Sequence, residues 1–161
     1  MKEAFTHKSL LILGRGIGQV MFQNNALSGL LMLIGIFLNS WQMGLLAVSG
    51  NIISTSTGRI SGYDRDDIKN GLYGFNGTLV GIAVGVFMHL TVNSLILMAI
   101  ASCASTYIAR FFNMQRMLPG FTTLFILSVW MLLGLCSWLM PDMLLVSDTE
   151  TPASSSINYL P

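Results

Sequence analysis

Gly71-Leu72-Tyr73-Gly74-Phe75-Asn76-Gly77-Thr78-Leu79-Val80-Gly81 is the stretch on which the fold of this chain turns. It follows the polar run Asp64-Arg65-Asp66-Asp67-Ile68-Lys69-Asn70 and leads without a polar spacer into the apolar run from Ile82 to Leu90. Four glycines in eleven residues would each weaken an ordinary helix by roughly 1 kcal/mol relative to alanine. In a bilayer such a segment persists where the backbone bends back, or packs closely on a neighbour, while lining a cavity. The pattern predicts a short re-entrant helix from Asp67 to about Phe75, broken at Asn76-Gly77 and continuing as the helix that carries Leu79. A glycine-rich loop joining two spanning helices fits the same letters.

Composition sets the class. The chain has 161 residues, 53% hydrophobic and 9% charged, with mean hydropathy +0.67. Soluble domains carry about 25% charged residues, so the shortfall argues for an integral membrane protein with lipid as its surroundings. A net charge of +1 and a pI near 7.8 give no support to a nucleic-acid partner. Cys103 and Cys136 lie in apolar helical runs, without the additional ligands a disulfide framework or metal site needs, and read as small packing residues. Lys2 and Lys8 precede an apolar stretch, but Arg15 interrupts it and no small-x-small site follows, so no cleavable signal is expected.

Apolar stretches run from Leu10 to Phe22, Leu27 to Leu38, Trp41 to Ile60, Leu79 to Leu90, Val92 to Ile108 and Leu118 to Met140. A spanning helix needs about 20 residues, so the first, second and fourth read as broken or half-membrane elements. If Leu10 to Leu38 makes one crossing interrupted at Gln23-Asn24-Asn25, the positive-inside rule is satisfied throughout. Lys2, Lys8, Arg15, the Arg59–Lys69 loop and Arg110–Arg116 then share the cytoplasmic side with the N-terminus. The expected architecture is all-α, with about five transmembrane crossings plus the re-entrant helix. Residues 1–141 form the transmembrane unit and 142–161 a polar linker or tail, rich in serine and threonine. An odd number of crossings means that a second copy joined by a short linker would insert upside down. The chain ends where such a copy would begin.

No hydrolytic or redox constellation is present: His7 and His89 are far apart, and no cofactor is implied. Asp64, Asp66 and Asp67 sit among compensating cations, where they are expected to cap the short helix and solvate the loop. More informative are the amides Gln19, Gln23, Asn24, Asn25 and Asn76 within apolar surroundings. Such groups are costly in a bilayer unless they pair or face water. They fit hydrogen bonding between packed helices, and equally a polar ladder along a narrow pore. An amide both donates and accepts, which suits a small, flat, neutral amide solute and carries no charge to attract ions. Gly16, Gly18, Gly77 and Gly81 also fit close helix contact at small-xxx-small spacing.

Three motifs carry a family resemblance. Gly16-Ile17-Gly18-Gln19-Val20-Met21-Phe22-Gln23-Asn24-Asn25-Ala26-Leu27-Ser28-Gly29 resembles the opening motif of the urea transporter family. The stretch from Gly71 to Gly81 is similar to that family's pore-helix signature. Leu118-Pro119-Gly120-Phe121-Thr122-Thr123-Leu124-Phe125 resembles its later Leu-Pro-x-Phe-Thr-x-Pro-Phe motif, with Leu124 where proline is frequent. The resemblance covers the first of the two homologous halves such a protein normally has. It implies one half of an inverted-repeat channel in the plasma membrane, passing urea passively between two inverted halves, with the subunits assembled as a homotrimer. By motif match Gln19 would be an amide lining the path, Val20, Phe22, Phe75 and Leu79 one side of flat apolar slots, and Thr122 the narrow middle. Gly74, Asn76, Gly77, Gly81 and Pro119 would be the motifs' structural positions. A lone unit supplies one wall of the slots, so a half-length chain that does not conduct by itself is the alternative, as is a pore for another small neutral solute.

Overall fold

A computed structural model of the chain describes residues 2–115 and 123–145, with side chains for 8–111 and 126–145. Among the described residues seven α-helices follow one another: α1 (Lys2–Gly18), α2 (Ala26–Asn39), α3 (Trp41–Ile60), α4 (Arg65–Lys69), α5 (Gly74–Phe87), α6 (Val92–Gln115) and α7 (Thr123–Leu139). A 3-10 turn, Gln19–Met21, extends α1, and a second, Pro141–Met143, follows α7. Among the described residues there is no strand, only an isolated bridge between Met88 and Leu144.

The helix starts are written locally. The Asn25 side chain accepts from the Leu27 N–H at 2.9 Å to cap α2, and the Ser40 hydroxyl accepts from Met43 at 3.3 Å to cap α3. Asp64 caps α4, accepting from the Asp66 and Asp67 N–H groups at 2.8 and 3.1 Å. These side chains supply partners for first-turn N–H groups that a helix leaves unpaired. The expected cap on the short polar helix is therefore present.

The centre is α3 against α5. Gly85, Gly81, Gly77 and Gly74 of α5 meet Met43, Leu46, Gly50 and Thr55 of α3 in turn, so the two helices run antiparallel. At Gly50 and Gly77 the backbones touch: a Cβ on either would collide with the other's carbonyl oxygen. Between apolar helices in lipid, small residues that permit this approach allow strong packing and interhelical hydrogen bonding. Helix α6 lies parallel to α3, with Ser102, Cys103 and Tyr107 opposite Ser54, Thr57 and Ser61. The Ser54 hydroxyl donates to the Ser102 carbonyl at 2.8 Å. Val80, Val84, Met98, Val129, Leu132 and Cys136 form the apolar core where α5, α6 and α7 meet. Beyond the ends of α5 and α7, His89 N–H donates to the Met143 carbonyl at 2.9 Å and Leu145 N–H to the Phe87 carbonyl at 2.8 Å.

One expectation is corrected. The glycine-rich stretch does not break at Asn76-Gly77; α5 runs straight through both. The break comes earlier, over Asn70–Tyr73, where Gly71 takes φ +76 and α4 has already ended at Lys69. Gly77 accommodates the Gly50 backbone, and this packing offsets the poor helix propensity that suggested a break.

The interruption expected at Gln23-Asn24-Asn25 is present. Segments Lys8–Met21 and Ala26–Asn39 meet at a bend of 74°. Among the described residues one segment, Val92–Phe111, is long and apolar enough to cross a bilayer unaided, and the bent pair would make a second if it forms one span. Helix α3 has 20 residues, about 30 Å, but Asn51, Ser54, Thr55 and Arg59 lower its hydropathy.

Cations from separate stretches gather at one end. Arg59 lies in the last turn of α3. Arg15 of α1 donates to the Lys69 carbonyl at 3.1 Å, and the Arg110 guanidinium lies 5.3 Å from the Tyr63 ring centroid.

Candidate functional site

Two interruptions of the helical backbone, after α1 and after α4, meet face to face. A helix leaves its last carbonyls without intrahelical donors. Here Arg15 fills the Lys69 carbonyl, and the Gln19 amide donates to the Asn70 carbonyl at 3.0 Å. The Asn24 amide reaches the Asn70 side-chain oxygen at 3.1 Å. A guanidinium at the C-terminal end of α4 also suits the helix dipole. The approach is close enough that a Cβ on Gly71 would meet the backbone of Gly16, which adds to the positive φ in requiring glycine there.

Behind this junction lies a polar knot. Asn51, fully buried on α3, donates from its one amide nitrogen to the Leu13 carbonyl at 3.1 Å and to the Thr78 hydroxyl at 3.0 Å. Its oxygen accepts from the Thr55 hydroxyl at 3.2 Å. Thr78 passes its own proton to the Gly74 carbonyl at 3.0 Å. Both donors and the acceptor of one amide are thus used to tie α1, α3 and α5 together. Sequence reasoning missed Asn51. The signal available was an Asn and a Thr four residues apart inside an apolar run, which places them on one helix face.

The predicted residues distribute unevenly around the junction. Gln19 and Val20 occupy the 3-10 turn, half-buried, and that turn packs against α5. Phe75 is buried and Leu79, one turn further along α5, half-buried. The structure therefore brings Gln19 and Val20 to the helix that carries Phe75 and Leu79. Phe22 stands apart, 64% exposed, with φ 57 at the end of the turn. Gly74 faces Asn51 and Thr55, while Gly77 and Gly81 abut the backbone of α3. Asn76 is fully buried, and among the described residues neither its nitrogen nor its oxygen has a hydrogen-bond partner. Thr122 and Pro119 lie outside the described residues.

Charge stays at the rim. In the loop preceding the junction, N–H groups of Asp67 and then Asp66 hold the Asp64 carboxyl below its ordinary value. Partial burial, reinforced by the charge of Asp64, pushes the Asp67 carboxyl up. The turn and α5 bring the Gln19 amide beside apolar side chains, a set that can hold a neutral polar solute by hydrogen bonds and contact.

A protein-family model described as "Urea transporter" matches residues 10–158. Among similar proteins, "Urea transporter 1" of Mus musculus is 41% identical over 75 residues, 47% of this chain and 20% of that protein. "Urea transporter 1" of Rattus norvegicus is 42% identical over 73 residues, covering 45% and 19% respectively. The Ovis aries protein of the same name is 40% identical over 73 residues, again 45% of this chain and 19% of the relative. The aligned stretch thus spans about a fifth of these relatives' length.

Proposed function

The chain belongs to the urea transporter family, and from that membership we propose that it builds one half of a urea pathway and permits facilitated diffusion down the solute's gradient. The observation that carries the reading is the docking of the Gln19–Met21 turn on α5, which puts an amide beside the helix bearing Phe75 and Leu79. Urea is flat and neutral. Apolar faces of Val20, Phe75 and Leu79 hold its plane, and oxygens along one edge take its N–H groups. Leaving such hydrogen bonds unmade is expensive, so partners must already stand along the path. The Gln19 amide nitrogen donates to the Asn70 carbonyl, and its oxygen, without a partner among the described residues, can serve as one. The chain acts as a transporter and not as an enzyme.

The exposure of Phe22 and half-burial of Leu79 fit a wall that a second, inverted unit completes. In this reading the bent pair α1 and α2 makes one interrupted crossing, α3, α5, α6 and α7 make the other four, and the assembly is a homotrimer in the plasma membrane. Collection of Arg15, Arg59, Lys69 and Arg110 at one end supports a cytoplasmic N-terminus by the positive-inside rule. A single wall would not conduct, so flux requires the complementary half. The test is stopped-flow urea flux in proteoliposomes holding this chain with a complementary half, compared with protein-free liposomes. Flux above the protein-free level, competed by urea analogues, supports the assignment. Equality with protein-free liposomes overturns it, and analogue-insensitive flux of other solutes favours a less selective pore.

A further inference from the structure

From the cationic end of the bundle we infer that the chain carries a binding site for an anionic phospholipid. A cleft of about 580 Å³ there is lined by Lys8, Arg15, Arg59, Arg65 and Lys69, together with Ser9, Leu11 and Ile12. These cations come from α1, α3 and α4, so tertiary packing collects them. No carboxylate lines the cleft among the described residues.

Of the three nearby aspartates two are engaged outside the cleft and one neutralises a single cleft cation, Lys69. Asp64 caps α4, Asp67 accepts from the Tyr73 hydroxyl at 3.5 Å, and Asp66 pairs with Lys69 at 2.8 Å. Lys8, Arg59 and Arg65 are left without a carboxylate partner among the described residues. Like charges held together in a partly apolar cleft repel one another, and an anion relieves that repulsion. Arginine in particular offers a planar fork that matches phosphate oxygens.

A second observation selects a lipid over free phosphate. Leu11 also lines an adjoining groove of about 520 Å³ between α1 and α2, walled by Leu27, Leu30 and other apolar residues. Headgroup chemistry and acyl-chain chemistry are therefore continuous across one side chain. A phosphodiester seated among the cations directs its tail into this groove. Basic pockets beside membrane helices are suited to such headgroups.

The experiment uses the purified 161-residue chain in detergent, mixed with equal amounts of phosphatidylglycerol and phosphatidylcholine, with bound lipid read by native mass spectrometry. Phosphatidylglycerol adducts are expected to exceed phosphatidylcholine adducts by about tenfold. Arg59→Gln with Arg65→Gln should bring the ratio near one, whereas Arg110→Gln, which lies outside the cleft, should leave it unchanged. Helicity by circular dichroism checks that each variant folds. Independently of any variant, raising ammonium acetate from about 0.1 to 1 M shortens the screening length from about 10 to 3 Å and should lower the ratio for the unaltered chain. Equal binding of the two lipids, or a preference untouched by both the double variant and salt, overturns the proposal. Displacement of the lipid by an equal concentration of inorganic phosphate or glycerol phosphate also overturns it, since the groove would then contribute nothing.

Discussion

The side-chain amide of Gln19 donates to the backbone carbonyl of Asn70 at 3.0 Å, joining two breaks that lie 51 residues apart in the chain. This bond commits the amide nitrogen, whereas the oxygen has no partner among the described residues. Replacing Gln19 by Ala should remove both the tie and the free oxygen. The expected stability loss is about 1 kcal/mol, read by reversible unfolding in mixed micelles. In an assembled pore the same variant should lower urea flux more than it lowers stability. Normal flux from the variant would take Gln19 off the pathway.

Asn51 and Asn76 are equally buried but differ in their partners, and that difference makes a prediction. Asn51→Ala leaves Thr55, Thr78 and the Leu13 carbonyl short of their bonds, so it should cost about 2–4 kcal/mol. Asn76→Ala removes an amide with no partner among the described residues, and relief of its desolvation offsets the lost packing, so the change should stay within about 1 kcal/mol. Equilibrium unfolding of the two variants side by side checks the order. A larger loss at Asn76 would show that its amide is satisfied in the working protein.

Gly77→Ala drives a methyl group into the Gly50 backbone. Backbone cannot yield as a flexible side chain does, so a loss of about 1–3 kcal/mol is expected. Gly134→Ala meets open space and should be neutral or slightly stabilising through better helix propensity. Thermal unfolding in detergent separates the pair.

Leu79→Arg should abolish urea flux in an assembled pore. The half-buried position would receive a cation that fills the slot and demands costly burial. Stopped-flow measurement against the unaltered chain checks it, and unchanged flux would move Leu79 away from the solute.

Asp64 gives a pH dependence whose sign follows from its cap. Its folded-state pKa is depressed, so its contribution is fully present above the unfolded value of about 4 and is lost as pH falls through the lower folded value. Asp67 is shifted upward, so its burial penalty operates above its folded pKa and is relieved by protonation on acidification. Carboxyl NMR should therefore show Asp67 titrating at higher pH than Asp64, with the Asp66 and Asp67 amide shifts following Asp64. The reverse order would contradict the cap.

The break before α2 was legible because consecutive amides in an apolar run have few places to go except a chain interruption or a cap, and Asn25 is that cap. The all-helical class followed from the apolar runs. Gly77 misled, because glycine lowers helix propensity and permits close approach with the same atom count. Only the partner, Gly50, tells the two apart. Asn51 was hidden for a related reason: its worth depends on Leu13 and Thr78, which sequence spacing does not bring near. At the site, the turn bearing Gln19 and Val20 packs against α5, the helix that carries Phe75 and Leu79. Phe22, held in a left-handed turn, is mostly exposed, which the motif by itself does not indicate.

The glycine contact between α3 and α5 also bears on the order in which the molecule is made. Asn51 and Thr78, the side chains bonded beside that contact, are only 27 residues apart, so a ribosome completes both surfaces before it has synthesised α6 or α7. This antiparallel pair can assemble as a nascent unit during synthesis, leaving the later helices to dock on a template already set. Errors in translation or insertion before Phe87 would then disable the whole chain, whereas errors after it would leave the first pair intact.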